Sequence, residues 1–354
     1  MAKTVLMKGN EALAEAAIAA GCRHYFGYPI TPQTEIGAYL ARRMPQVGGV
    51  FLQAESEIAA IHMVYGASCA GKRAMTSSSS PGISLKSEGL SYLAGSDLPA
   101  LVVNVQRAGP GLGGIQPAQA DYFQATRGGG HGDFRNIVLA PSSAQEMYSL
   151  TLRGFDLADR YNMTAMILAD GTIGQMMEQV TLESAAPAAY EKPWTLTGTR
   201  GAREKRVITS LYLSPKVLEE KNRSRFERYR LVQERETDFE AYCMEDAEIC
   251  LVAYGIAARI SKSAVAMARA AGIRAGLIRP ITLWPFPNEA LANAAGQVRH
   301  FLSVELSMGQ MMQDIELAIR CAKPVSLVSR VGGMIPATEE VLAAIERAAK
   351  GETV

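Results

Sequence analysis

The chain of 354 residues exceeds the roughly 100–200 expected of one domain, so two domains are expected, each large enough to bury a core. Lys and Arg number 36 against 35 Asp and Glu, a balance that offers no net field for nucleic acid or an anionic membrane surface. Cys22, Cys69, Cys243, Cys250 and Cys321 are scattered, odd in number and without a C-x-x-C pair, which argues against a disulfide framework, a structural zinc site or an iron–sulfur cluster within this chain and for reduced core thiols.

Along the chain, Gly9–Ala16 carries acids where a signal peptide needs an apolar core, and no apolar run approaches ~18 residues, so a soluble, cytoplasmic protein is expected. Through about Val180, apolar β-rich stretches (Tyr25–Pro29, Val50–Gln53, Leu101–Val105, Ile137–Ala140, Ala165–Ala169) alternate with Ala-rich helical ones. That is an α/β pattern with short parallel strands buried on both faces. The alternation lapses between Thr181 and Glu245. There Lys216–Glu240 holds seven basic and seven acidic residues, and Leu218, Phe226, Tyr229 and Val232 form one thin apolar stripe, the pattern of a helix lying along the surface. Alternation resumes at Ile249–Gly255 and continues through Arg274–Ile278, Phe301–Val304 and Val325–Val328. A last helix is expected with Thr338 as cap, Glu339 and Glu340 in its first turn, and an apolar face of Val341, Leu342, Ile345, Ala348 and Ala349. The expected division is residues 1–185, a connector 186–245, and a smaller α/β domain 246–354.

Gly174-Gln175-Met176-Met177 recurs as Gly309-Gln310-Met311-Met312, but four residues do not establish a duplication, and the methionines read as gap-filling core. Gly109-Pro110-Gly111-Leu112-Gly113-Gly114 satisfies G-x-G-x-x-G, with Asp133 downstream as a candidate ribose acid. Its context is wrong for a dinucleotide site. The motif lies well inside the domain, contains Pro110 and meets Pro117 before a helix can open.

Four segments bear the chemistry. Glu57 follows the strand Val50–Gln53 at the start of a small-residue helix; on its own it is equally readable as an exposed first-turn acid favoured by the helix dipole. Arg107 ends a strand, where open α/β sheets present residues to ligands, and its guanidinium suits a planar carboxylate, or serves in a plain surface salt bridge. Thr31, between Pro29 and Pro32, offers a hydroxyl from a stiff turn, or serves as a plain turn or cap residue. Ser77–Ser80 before Pro81-Gly82 reads either as a flexible serine loop or as a turn aiming hydroxyls and amides into a pocket. Of the histidines, His131 sits among glycines, His62 reads as core packing on the Glu57 helix, and His24 and His300 as edge residues.

In chain order, Gly27-Tyr28-Pro29-Ile30-Thr31-Pro32, Ala54-Glu55-Ser56-Glu57-Ile58-Ala59-Ala60, Met75–Gly82, Asn104-Val105-Gln106-Arg107, Gly128–Asp133 and Pro141–Glu146 resemble the alpha subunit of the thiamine-diphosphate-dependent 2-oxoacid:ferredoxin oxidoreductases, in particular the branched-chain (3-methyl-2-oxobutanoate) type. Arg279–Pro287 extends the resemblance toward the C-terminus. The resemblance implies a thiamine-diphosphate-binding pyrimidine-domain fold followed by a smaller transketolase-C-terminal-like α/β domain. It further implies that Glu57 meets the aminopyrimidine and activates the cofactor, that Pro29, Ile30, Ser79 and Ser80 line its pocket, and that Arg107 and Thr31 hold the substrate carboxylate. Ala169-Asp170-Gly171-Thr172 departs from the acidic Gly-Asp-Gly turn that holds magnesium in thiamine enzymes, and no Asn follows at the required spacing. Diphosphate and Mg2+ are therefore expected on a beta subunit, and [4Fe-4S] clusters on gamma and ferredoxin-like delta subunits. The implied reaction is coenzyme A-dependent oxidative decarboxylation of a 2-oxoacid to acyl-CoA and CO2, with ferredoxin as acceptor. A non-redox thiamine-dependent decarboxylase or transketolase-like subunit, or a noncatalytic assembly subunit, are the alternatives.

Overall fold

The computed structural model of the protein describes residues 3–183, 187–199 and 201–352. Its strands are β1 (Lys3–Lys8), β2 (His24–Gly27), β3 (Val50–Gln53), β4 (Ala74–Ser78), β5 (Ala100–Gln106), β6 (Ile137–Leu139), β7 (Thr164–Asp170), β8 (Met177–Leu182), β9 (Phe239–Tyr242), β10 (Ile249–Val252), β11 (Ala275–Pro280), β12 (Thr282–Trp284), β13 (His300–Glu305) and β14 (Val325–Ser329). The expected α/β architecture is present. A seven-stranded sheet has the order β12-β6-β7-β5-β4-β2-β3, and a five-stranded sheet the order β14-β13-β10-β11-β9. Neighbours are parallel except at the β12/β6 and β11/β9 pairs. Strands β1 and β8 form a separate antiparallel pair.

Strands β4, β5, β6 and β7 are buried along their whole length, because helices cover both faces of a parallel sheet. Strand β3 departs from that expectation. It is the sheet's outer strand, and Val50 and Leu52 remain 44% and 38% exposed. The chain runs outward from β2 to β3 and then returns across β2 to β4, so the order reverses at β2. The segments that follow β2, β3, β4 and β5 all leave from the carboxyl ends of parallel strands, where a reversal opens a crevice.

The two sheets exchange chain. Within one extended run, β11 belongs to the five-stranded sheet and β12 to the seven-stranded one, with Ile281 between them. The Ile281 amide donates to the Asp238 carbonyl at 3.0 Å, and the Ala140 amide donates to the Ile281 carbonyl at 2.8 Å. Gln119 ties the sheets a second time, since its amide and side chain together bond the backbones of Tyr254 and Leu306.

Several local expectations change in the folded chain. The charged helix spans Pro215–Glu236 and buries Tyr229 and Val232, but Leu218 and Phe226 stay 38% and 41% exposed, so only its C-terminal half packs. In the final helix, Thr338–Lys350, the cap position is Ala337 rather than Thr338; the Glu340 carboxylate accepts from the Ala337 amide at 3.1 Å. His62 is exposed, not core, its ring edge-on to Tyr92. Of the thiols, Cys321 is exposed and Cys243 half-buried, and all five are free. The paired tetrapeptides share no structure: Gly174-Gln175 ends a short helix and Met177 opens β8, 54% exposed, whereas Gln310, Met311 and Met312 begin a helix. No helix opens at Gly109–Gly114, which forms a loop closed by a bridge between Arg107 and Pro117. The expected domain boundary at 185/186 lies outside the described residues.

Candidate active site

Ser56 fixes where the Glu57–Cys69 helix begins, its hydroxyl accepting from the Ala59 amide at 3.2 Å. This N-cap places Glu57 in the first turn. The residue is 5% exposed, and among the described residues no donor bonds its carboxylate, whose oxygens keep some contact with solvent. The exposed first-turn reading of Glu57 is thereby excluded. A buried, unpartnered carboxylate is costly, and here it faces the start of the neighbouring helix, Pro81–Gly95. A Cβ on Gly82 would lie 2.6 Å from Glu57 Oε1 and would also strike Ser78 Oγ, so glycine is required to keep this space open.

The serine run divides by function. Ser77 is committed inward, donating to Gln33 Oε1 at 2.5 Å and bonding the Tyr25 hydroxyl at 2.8 Å. Ser80 stands at the helix N-cap with φ 27°, a conformation that costs energy for a side chain with a Cβ. It is held there by its own bonds. Its amide donates to Asn104 Oδ1 at 3.1 Å, its hydroxyl donates to Asp121 Oδ2 at 2.6 Å, and that hydroxyl accepts from the Arg107 amide at 3.0 Å. The Ser80 hydroxyl is thus engaged by groups of this chain. Thr76, Ser78 and Ser79 differ: their hydroxyls are buried without a partner.

Arg107 is 7% exposed and does meet Thr31, though through the Thr31 carbonyl, which accepts from Nη1 at 3.1 Å, while Leu112 O accepts from Nη2 at 3.1 Å. Its Nε is buried and unpartnered. Thr31 itself is exposed, with Pro29 exposed and Ile30 half-buried beside it. Pro29 lines a half-open groove of about 260 Å³ with Tyr25, Gly27, Tyr28, Gln33 and Phe51, but Glu57, Thr31 and Arg107 stand outside that groove. His131 is exposed on its glycine loop and apart from these groups, edge-on to Tyr92; His24 and His300 are half-buried at the starts of β2 and β13.

Four residues that matter here were not singled out from the sequence. Lys86 is fully buried and donates to the Glu57 carbonyl at 3.3 Å; burial pulls its ammonium down to about 8, opposed by the charge of Glu57. The signal was a lysine in the stripe Gly82, Lys86, Gly89, Leu93, all on the buried face of one helix. Asn104 and Asp121 hold Ser80, and burial raises the Asp121 carboxyl above its ordinary range despite the two donors. Gln119 is the fourth.

Asp170 accepts from the amides of Thr172 and Ile173 on one oxygen, at 3.1 and 3.0 Å, and from Ile256 on the other, at 2.8 Å. It is a clamp between β7 and the helix Gly255–Ala270, with burial raising its carboxyl. Its oxygens are spent on amides, which does not suit them to a hard cation.

A carboxylate without a donor on a residue 5% exposed, three buried hydroxyls without partners and a cradle that a Cβ would fill suit a flat heterocycle carrying ring nitrogens and an amino group. Comparison with known proteins agrees. The family described as "Pyruvate flavodoxin/ferredoxin oxidoreductase, thiamine diP-bdg" matches residues 15–239, and "Pyruvate:ferredoxin oxidoreductase core domain II" matches residues 247–341. The chain is 52% identical over 347 residues to a ketoisovalerate oxidoreductase subunit of Methanothermobacter marburgensis, covering 98% of each. It is 38% identical to a 2-oxoglutarate synthase subunit of Archaeoglobus fulgidus, covering 93% of this chain and 95% of the other. Among solved structures, a 2-oxoglutarate:ferredoxin oxidoreductase from Magnetococcus marinus, with 2-oxoglutarate, coenzyme A and succinyl-CoA bound, superposes with a TM-score of 0.87 at 30% identity. The match covers 98% of this chain and 65% of that longer one. A split-gene transketolase, at TM-score 0.57 and 14% identity, shares the fold.

Proposed function

The chain belongs to the thiamine-diphosphate-binding pyruvate flavodoxin/ferredoxin oxidoreductase family, and from that premise we propose that it is the alpha-type subunit of a branched-chain 2-oxoacid:ferredoxin oxidoreductase in which Glu57 meets the cofactor. It is a subunit of an enzyme that oxidatively decarboxylates 2-oxoacids. The branched-chain assignment rests on 50–52% identity to ketoisovalerate oxidoreductase subunits, against 34–38% to 2-oxoglutarate synthase subunits.

The observation that carries the site is the Glu57 carboxylate, buried, unpartnered and fronted by Gly82. Thiamine diphosphate supplies a nucleophilic carbon and an electron sink for the departing CO2. Glu57 holds a proton at the pyrimidine ring nitrogen, in a pocket dry enough for that bond to be strong. Ser78 and Ser79 offer hydroxyls to the ring's polar edge. Pro29 and Ile30, at the rim, limit access of water. Arg107 grips the substrate carboxylate through the face bearing its free Nε, once the Leu112 carbonyl yields its place on Nη2, and Thr31 borders the same carboxylate.

The site is completed by another polypeptide. Asp170 has no oxygen left for magnesium, which supports a beta subunit as the holder of diphosphate and Mg2+. The apolar groups around Glu57, Val50 and Leu52 on the outer strand with Ile58 and Leu85 on the two helices, are 38–51% exposed and fit that subunit's seat. Gamma and delta subunits with [4Fe-4S] clusters carry electrons to ferredoxin, and coenzyme A takes the acyl group.

The test is the complex of this chain with its partner subunits, assayed with a panel of 2-oxoacids, coenzyme A and a viologen acceptor. Fastest turnover with 3-methyl-2-oxobutanoate, lost in Glu57→Gln, is expected. Unchanged turnover in Glu57→Gln overturns the assignment of Glu57; preference for 2-oxoglutarate overturns the substrate class.

A further inference from the structure

We propose that Lys86 is a positioning residue for Glu57, fixing the helix turn that carries it. This inference rests on the reading of Glu57 as the cofactor-facing acid. Three observations support it. The Lys86 side chain is 0% exposed and so does not reach water with its ammonium. The ammonium has three N–H donors yet makes one bond, a long one of 3.3 Å, and its acceptor is the main-chain carbonyl of Glu57 itself. The helix that carries Lys86 is drawn onto the Glu57 helix by glycine contacts on either side, with Gly82 against the Glu57 carboxylate and Gly89 against Ile61. Lys86 is held between these two contacts, one turn from each.

Burying an ammonium is expensive without a compensating anion, and a methionine would fill the same space without that cost. Of the charged groups nearby, Glu57 is the one that acts on Lys86. Glu88, on the same helix, accepts from the Tyr92 hydroxyl at the surface, while Asp121 and the Arg107 backbone are bonded to Ser80, at the helix's N-terminal end. The arrangement is a buried ammonium whose one bond ties it to the main chain of the turn that carries Glu57.

The positioning role separates from general packing by experiment. In the reconstituted complex, deuterium exchange at C2 of bound thiamine diphosphate is measured beside the cofactor's dissociation constant for wild type, Lys86→Met and Lys86→Arg. Lys86→Met is expected to slow C2 exchange by about tenfold or more with cofactor affinity and assembly little changed, and Lys86→Arg, which keeps a donor for the Glu57 carbonyl, to recover part of that loss. Lys86→Leu gives the same readout should Lys86→Met fail to assemble. Wild-type C2 exchange in an assembled Lys86→Met or Lys86→Leu complex overturns the inference while leaving Glu57 in place, whereas full C2 exchange in Glu57→Gln overturns the reading of Glu57 beneath it.

Discussion

Gly82 stands so close to Glu57 that a Cβ on it would lie 2.6 Å from Glu57 Oε1. The packing of two helices is thus set beside the acid that we propose faces the cofactor's heterocycle. Gly82→Ala should displace the carboxylate or the Ser78 hydroxyl, with a stability loss of about 1–3 kcal/mol from overpacking and loss of most turnover. Denaturation curves and viologen reduction check the two effects; an alanine variant with wild-type turnover would show that the space is not needed.

Lys86 makes stability depend on alkaline pH. Burial brings its ammonium from the ordinary 10.5 down to about 8, so between those values the unfolded chain binds more protons than the folded one. Stability therefore rises as pH increases from about 8 to 10.5, where the folded chain has already relieved the buried charge. The contribution is on the order of 3 kcal/mol, and it should be missing from Lys86→Met. Urea denaturation of both proteins at pH values across that window measures it, and parallel curves would rule out a lysine desolvated in the folded state.

Arg107→Lys keeps the charge but loses the planar fork. With one charge-assisted hydrogen bond removed, worth about 1.5–3 kcal/mol, KM for the 2-oxoacid should rise roughly ten- to hundredfold. Steady-state kinetics of the reconstituted complex provides the measurement. A fall in kcat with KM untouched would place Arg107 in the scaffold around Ser80 instead.

Asp170 accepts three backbone amides, one of them from the start of the helix Gly255–Ala270. Asp170→Ala leaves those amides buried and unpaired, at a cost of roughly 3 kcal/mol or more. Asp170→Asn retains one acceptor oxygen and should lose less. Melting temperatures rank the three proteins, and equal values for alanine and wild type would mean that water replaces the carboxylate at this junction.

Much of the site was readable because short motifs carry their own geometry. Glu57 reads as a first-turn acid at the start of a helix, and a strand ending in Arg107 presents its side chain at a sheet's carboxyl edge. The serine run was less readable. Nothing in four consecutive serines says that Ser77 turns to Tyr25 and Gln33, that Ser80 is held at φ 27° by Asn104 and Asp121, and that only Ser78 and Ser79 are left free. Those assignments depend on residues 24 to 52 positions away. His62 and Cys321 misled for a related reason, since apolar or small neighbours in sequence do not report which side of a helix meets another element.

Local pattern alone determined the alternation of strands and helices and the order of the motifs, because each follows from periodicity or chemistry within a few residues. Only the folded chain decided that Glu57 is buried to 5% exposure, that Lys86 bonds its main chain, that Arg107 meets the carbonyl of Thr31, and that one extended run serves both sheets across Ile281. Burial and pairing are properties of what packs from elsewhere, and the energy of a charge depends on how much water that packing removes.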